Sequence, residues 1–288
     1  MTIFVQAVIS GILVGGIYAL IGVGLTIIFG VMRIINFAHG DLLMLGMYAT
    51  WLVFSHLGVD PFVSVLITAP LLFLWGAFLQ TVFINRVLSA LPQNQILLTI
   101  GLGLIMSNSM LLIFSSDYQI ITTSYSSTSF VLAGISVSKA LLYAFLITCG
   151  ITAALYAFLF RTDTGDAIRA TAQDRYAAQL MGIDVKRTSV LAFGLGAALA
   201  GTAGALIAPT YYIFPQVGQL FTLKAFVIVV LGGMGSVVGA TLGGIIIGII
   251  ESLAAAYWAA DLKELVVFVM FLLLLLFRPS GLLGKSRT

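Results

Sequence analysis

Cysteine, histidine and charge are all scarce in this chain, and each shortage closes off a class of protein. The one cysteine, Cys149, falls inside an apolar run, so an intrachain disulfide is impossible. The two histidines, His39 and His56, stand apart and no Cys/His cluster exists, so no metal site is expected. Asp, Glu, Lys and Arg make up 8% of the residues, against about 25% in a soluble domain. No soluble fold could hide the apolar surface that remains. Catalytic signatures are missing too: there is no HExxH, no GxSxG and no protease-type pair of intramembrane aspartates. GLLGKS near the C-terminus fails as a phosphate loop, because its first glycine would fall at Pro279. Neither catalysis nor ATP binding is expected of this chain, and no cofactor. The net charge of +3 sits in loops and says nothing of nucleic acid.

What is present is apolar: 61% of the residues, with a mean hydropathy of +1.16. The runs are long and continuous, not alternating, which indicates helices in a lipid bilayer rather than a barrel. The fold expected is an all-α polytopic membrane protein of about eight or nine transmembrane helices, with broken or re-entrant segments, forming one domain over 1–288. Apolar segments fall at 4–30, 42–54, 62–84, 95–114, 141–160, 190–208, 221–251 and 261–277. The N-terminal MTIFVQAVISG lacks a basic region and runs straight into a span, so no cleaved signal peptide is expected. Arg86, the loop at 161–187 and the terminal Arg278, Lys285 and Arg287 belong on the cytoplasmic side, by the bias of Lys and Arg. The Ser/Thr-rich 115–138 and the aromatic PTYYIFPQVGQL at 209–220 belong outside. An outer N-terminus and an inner C-terminus require an odd number of crossings, whereas eight segments are even.

Polar residues interrupt some spans. RIINFAHGD at 33–41 carries Asn36, His39 and Asp41, which reads as a helix break that caps the next span, with Asp41 near its N-terminus. Ser107 and Asn108 lie within 95–114, and Asn108 suits either a bond between helices or the wall of a pathway. The segment 221–251 is too long for one span. Gly232, Gly233 and Gly235 of GGMGS break it into a half-helix and a second helix, with Lys224 and Glu251 expected near the ends.

The densest charge lies in RTDTGDAIRATAQDRYAAQLMGIDVKR at 161–187, which holds nine of the 23 charged residues. Its alanines read as one or two short helices outside the membrane, ended by Gly182. It is either a solvated loop or an element that docks in a groove of a partner.

GGIYALIGVGLTIIFGVMRIINFAHGDLLMLGMY resembles the opening signature of permeases from branched-chain amino acid ABC importers, the LivH type, and INFAHGD is its most specific piece. TIGLGLIMSNSMLLIF, GDAIRATAQDRYAAQLMGID, VLGGMGSVVGATLGG and the terminal FRPSGLLG agree with it, in order along the whole chain. That resemblance implies a second homologous permease subunit, two cytoplasmic ATPase subunits and a periplasmic substrate-binding protein, in a bacterial inner membrane. It makes 161–187 a cytoplasmic coupling loop seated on the ATPase. Gly165, Ala170 and Gly182 fall at the small positions of its motif, with Arg169, Asp174 and Arg175 as polar contacts. It also implies alternating access for a hydrophobic amino acid, and a mildly polar pathway without a trapping charge would draw on Asn36, His39, Ser107 and Asn108. A same-family permease for urea or a short amide is one alternative. A stand-alone secondary transporter is another, disfavoured because the spans offer few ionisable residues to couple ions.

Overall fold

In hydrocarbon a backbone must satisfy its own N–H and C=O groups, and continuous apolar runs do so as helices. The computed structural model describes residues 2–132, 134–258, 262–277 and 281–283. Among these, the helices are α1 (Thr2–Met32), α2 (His39–Leu57), α3 (Val65–Val82), α4 (Pro92–Phe114), α5 (Lys139–Arg161), α6 (Asp163–Gln173), α7 (Arg175–Leu180), α8 (Val185–Ile207), α9 (Val217–Gly232), α10 (Val237–Tyr257) and α11 (Lys263–Phe277). Six are long and apolar enough to cross a membrane: α1, α3 with a turn that extends it to Arg86, α4, α5, α8 extended to Thr210, and α10. α2, α9 and α11 are shorter or more polar and lie along the same bundle. The chain is an all-α polytopic membrane protein.

Glycines set the closest approaches. α1 and α10 run antiparallel, with Gly11 against Gly248 and Ile249, and Gly15 against Gly244 and Ile245. A Cβ on Gly15 would stand 2.7 Å from the Ile245 Cα, so only glycine lets the two backbones meet. α3 and α8 also run antiparallel, through Gly76 against Ala197 and Gly201 against Leu72. α1 and α8 form the buried centre, while α3, α4 and α5 expose most of their side chains along the flanks.

These pairings give the bundle two ends. One end holds α6, α7 and the turn between α9 and α10, where Gly30 of α1 faces Ala172 and Gly235. The other holds a β-hairpin of β1 (Ser129–Leu132) and β2 (Ile135–Ser138), which the reading of 115–138 as a plain loop did not foresee. Tyr125 there donates to Asp60 Oδ2 at 2.7 Å, and Gln119 pairs with Ile213. Burial raises the Tyr125 phenol well above its ordinary range, and the bond to Asp60 adds to that.

The 221–251 region is two helices that fold back on each other, so nine helices lie along the bundle among the described residues. Lys224 and Glu251 are not near the ends as the sequence reading had them. They meet inside the bundle, because the turn at 233–236 lays α9 against α10. Asp261, Arg278, Lys285 and Arg287 lie outside the described residues.

Candidate functional site

α1 ends where Arg33 takes a left-handed backbone (φ 56°), which reverses the chain. The six residues 33–38 then run back into the bundle. There the Asn36 Oδ1 accepts from the Ala38 N–H at 3.1 Å and the Asn36 carbonyl from the His39 N–H at 3.3 Å, a turn that launches α2. His39 Nε2 donates to the Ile21 carbonyl at 3.0 Å. Ile21 precedes the end of α1 by eleven residues, or about 17 Å of helix. α2 therefore starts deep in the bundle. Gly40 presses on the Gly218 carbonyl and Thr222, and its N–H donates to the Thr222 Oγ1 at 3.0 Å.

A cavity of about 260 Å³ opens where the start of α2 meets α4 and α9. Asp41, Ser107, Gln219 and Thr222 supply its polar atoms; Phe37, Ile100, Leu104 and Leu223 supply the apolar wall. Two glycines flank the Asp41 carboxylate. A Cβ on Gly103 would lie 2.5 Å from Oδ2, and one on Gly218 2.7 Å from Oδ1. Of the four residues expected along a pathway, only Ser107 lines this cavity. Asn36 and His39 are fully buried behind it, holding the break. Asn108 is exposed on another face of α4 and donates to the Leu104 carbonyl of its own helix at 2.8 Å.

At the α6–α7 end, every turn is capped from within the segment. Thr162 Oγ1 accepts from the Gly165 N–H at 3.0 Å, with Asp163 and Asp166 in the first turn of α6, where the helix dipole favours them. Gly165 is buried, and any Cβ there would meet the Phe158 carbonyl and stand 2.6 Å from the Leu159 Cα. Only glycine lets α6 fold back onto α5. Arg169 pairs with Asp166 and lies over the Phe160 ring at 4.4 Å. Asp174 Oδ1 caps α7, accepting from Tyr176 and Ala177 at 2.8 and 3.0 Å. Asp184 caps α8 in the same way, and Gly182 turns between them at φ 84°. Ala170 and Arg175 are half-buried. The large apolar side chains this segment presents outward are Tyr176, Leu180 and Met181, the last 83% exposed.

The match to the family described as "Branched-chain amino acid transport system / permease component" covers residues 7–275. The chain belongs to that family. It is 32% identical to the high-affinity branched-chain amino acid transport system permease protein LivH of Escherichia coli K12, over 98% of this chain and 96% of that protein. It is equally similar, over the same shares, to the permease protein BraD of Pseudomonas aeruginosa PAO1. A shorter match, 33% identical, joins 45% of this chain to 30% of the E. coli permease protein LivM. No solved structure matches.

In this permease, α9 ends at Gly232, and Gly233 and Gly235 carry positive φ of 96° and 89°, so the chain reverses within four residues. Backbone N–H groups of Leu282 and Leu283 then bond the Leu231 and Gly232 carbonyls at 2.7 and 3.2 Å, which ties the C-terminal stretch to this turn. On the inner face of α9 the Lys224 Nζ donates to Glu251 Oε1 at 2.8 Å and to the Tyr18 hydroxyl at 3.0 Å. Lys263 adds a looser contact to the same carboxylate at 3.7 Å. Sequence reasoning missed this ion pair, the cavity role of Thr222 and Gln219, and the outward Tyr176, Leu180 and Met181. Only the last left a signal: three large apolar residues at spacings of four and five within a charged helical stretch.

Proposed function

We propose that this chain is the membrane-spanning permease subunit of an ATP-powered importer for branched-chain or other hydrophobic amino acids, embedded in a bacterial inner membrane. The observation that carries this reading is the capped α6–α7 segment, which projects Tyr176, Leu180 and Met181 from one end of an otherwise apolar bundle. Exposed apolar side chains on a short, rigid, water-facing helix suit docking in a partner's groove. That partner is a cytoplasmic ATPase, one of a pair, and residues 161–187 are the coupling loop. Gly165 seats the loop on α5, while Arg169, Asp174 and Gly182 shape it. Ala170 and Arg175 flank the contact. The whole chain acts as one permease domain and catalyses nothing itself.

Similarity to both LivH and LivM, two permease proteins named from one bacterium, supports a pathway built from two homologous subunits. A periplasmic binding protein delivers the substrate at the hairpin end. ATP closes the ATPases, the coupling loops move with them, and the bundles alternate between outward-open and inward-open arrangements. The turn at Gly232, Gly233 and Gly235 lets α9 move as a short arm. The polar break at Asn36 and His39 sets the depth of the pathway. Ser107 lines it, and Asn108 faces a neighbouring helix or subunit.

A single cysteine at Met181, in a Cys149→Ser background, tests the reading in the assembled importer. Capture of the ATPase subunit by a thiol crosslinker, with a yield that ATP changes, is the expected result. Uptake of L-leucine that persists with the ATPase deleted would overturn it.

A further inference from the structure

We propose that the Asp41 carboxylate receives the ammonium group of the substrate, in the cavity between α2, α4 and α9. This inference rests on the importer reading above and adds the point of recognition to it. Asp41 is 5% exposed, yet neither carboxylate oxygen accepts a hydrogen bond from any described group. A carboxylate in the first turn of a helix ordinarily serves that helix, by accepting from its free N–H groups. This one does not. The nearby Gly40 N–H is taken by Thr222, and the Thr222 hydroxyl is itself spent on Gly40 and the Phe37 and Gly218 carbonyls. Lys224 sits on the opposite face of α9, bound to Glu251. Among the described residues, no lysine or arginine lines the cavity.

An unpaired carboxylate deep in a membrane bundle is costly, and such groups mark substrate or ion pathways. What compensates it here is a cation that arrives and leaves. The glycines at 103 and 218 keep both oxygens accessible, since any side chain at either position would cover them. The surrounding Ile100, Leu104 and Leu223 suit an aliphatic side chain, and the exposed amide of Gln219 is a donor for a substrate carboxylate, while the Ser107 hydroxyl, which donates to the Leu104 carbonyl at 3.3 Å, leaves its oxygen as an acceptor. A volume of about 260 Å³ holds one small amino acid, below the range of about 300–1,000 Å³ for drug-sized ligands. A neutral guest such as urea could donate N–H groups to Asp41 but would bring no charge to balance it, so the cavity favours an amino acid over an amide.

Two measurements on the assembled importer test this. In the first, dicyclohexylcarbodiimide labels membrane carboxylates and mass spectrometry reads Asp41 and Glu251 separately. Protection of Asp41 by 3-methylbutan-1-amine and by L-leucine, but not by 4-methylpentanoate, with Glu251 unprotected, is expected. Equal protection by the acid and the amine, or none by either, overturns the ammonium role. In the second, Asp41→Asn lowers the maximal rate of L-leucine uptake roughly tenfold to a hundredfold per assembled complex, the worth of one charge-assisted hydrogen bond. Asp41→Glu restores part of it. An Asp41→Asn importer that keeps uptake within about twofold of the parent also overturns it. If the parent importer carries no branched-chain amino acid, the substrate reading fails instead, and the labelling experiment still judges Asp41.

Discussion

Removing either partner of the Lys224–Glu251 pair should destabilise the bundle far more than removing both. Both side chains are at least nine-tenths buried, at 5% and 9% exposure, and their 2.8 Å contact is the short one each makes with an opposite charge. With Lys224→Met, the one opposite charge left to Glu251 among the described residues is the looser Lys263 at 3.7 Å, and its Oε2 has no partner among them. With Glu251→Leu, Lys224 keeps only the Tyr18 hydroxyl and the faces of the Tyr18 and Phe221 rings at 5.0 and 5.8 Å. Breaking a buried pair this way costs about 3–5 kcal/mol, whereas replacing both charges by apolar groups of similar size is often neutral. The assay is thermal unfolding of the detergent-purified importer, followed by size-exclusion chromatography. Each single variant should lose on the order of 10 °C, and Lys224→Met/Glu251→Leu should recover most of that. A double variant that loses the sum of the singles, or singles that cost under about 1 kcal/mol, would refute the idea that uncompensated charge is what the pair prevents.

Gly165→Ala puts a methyl group into the Phe158–Leu159 backbone, so α6 must lift from α5 at a cost of about 1–3 kcal/mol. Uptake should fall severalfold more than the amount of chain in the membrane, measured by immunoblot beside transport. Asp174→Ala removes the cap of α7 and should cost about 1 kcal/mol locally. Faster amide exchange at Tyr176 and Ala177, with α8 amides unchanged, checks it. At the hairpin end the Tyr125 phenol is held in its neutral form by burial and by its bond to Asp60. Its folded value is raised, so its stabilising contribution is fully present below the free-tyrosine range and is lost only as pH climbs through the raised value. In an alkaline absorbance titration the Tyr125 step should therefore fall at lower pH in Asp60→Asn than in the parent, while burial still holds it above the free-tyrosine range.

What was legible in the sequence was whatever lipid imposes locally. α1, α5 and α8 announce themselves as continuous apolar runs, because backbone at membrane depth satisfies itself as helix. GGMGS announces a break, because glycine alone tolerates the positive φ found at Gly233 and Gly235. What was not legible depends on which face a residue takes or on what approaches it from elsewhere. Ser107 and Asn108 are neighbours on α4, whose apolar residues cover every side, so no pattern says which one turns to the cavity. Asp41 reads as a helix cap from its position alone. That its carboxylate stays free follows from Gly103 and Gly218, which come from α4 and α9 and cannot be placed beside it by spacing. Lys224 and Glu251 each look like a terminal charge until the turn between them lays one helix on the other.

α9 places opposed demands on sixteen residues. Gly218, Gln219 and Thr222 meet the start of α2 and close the cavity, while Phe221, Lys224 and Ala225 turn inward to the core. Loosening the inward face would let the outward face drift, so the buried ion pair fixes the wall that Asp41 looks toward. The far end of α9 is the Gly232–Ser236 turn, where Gly232 and Gly239 meet backbone to backbone and Gly235 faces Gly30. Gly30 also faces Ala172 of α6. In the proposed cycle a shift of α6 would reach α9 after closing the space at Gly30, where even an added Cβ would stand 3.6 Å from the Ala172 Cβ and 3.9 Å from the Gly235 Cα. The Gly232–Gly239 contact, by contrast, is close-packed backbone and passes displacement between α9 and α10. On this geometry the end of the molecule that the ATPase would grip and the carboxylate that would hold the amino group are linked by one short helix, with its ion pair as the fulcrum.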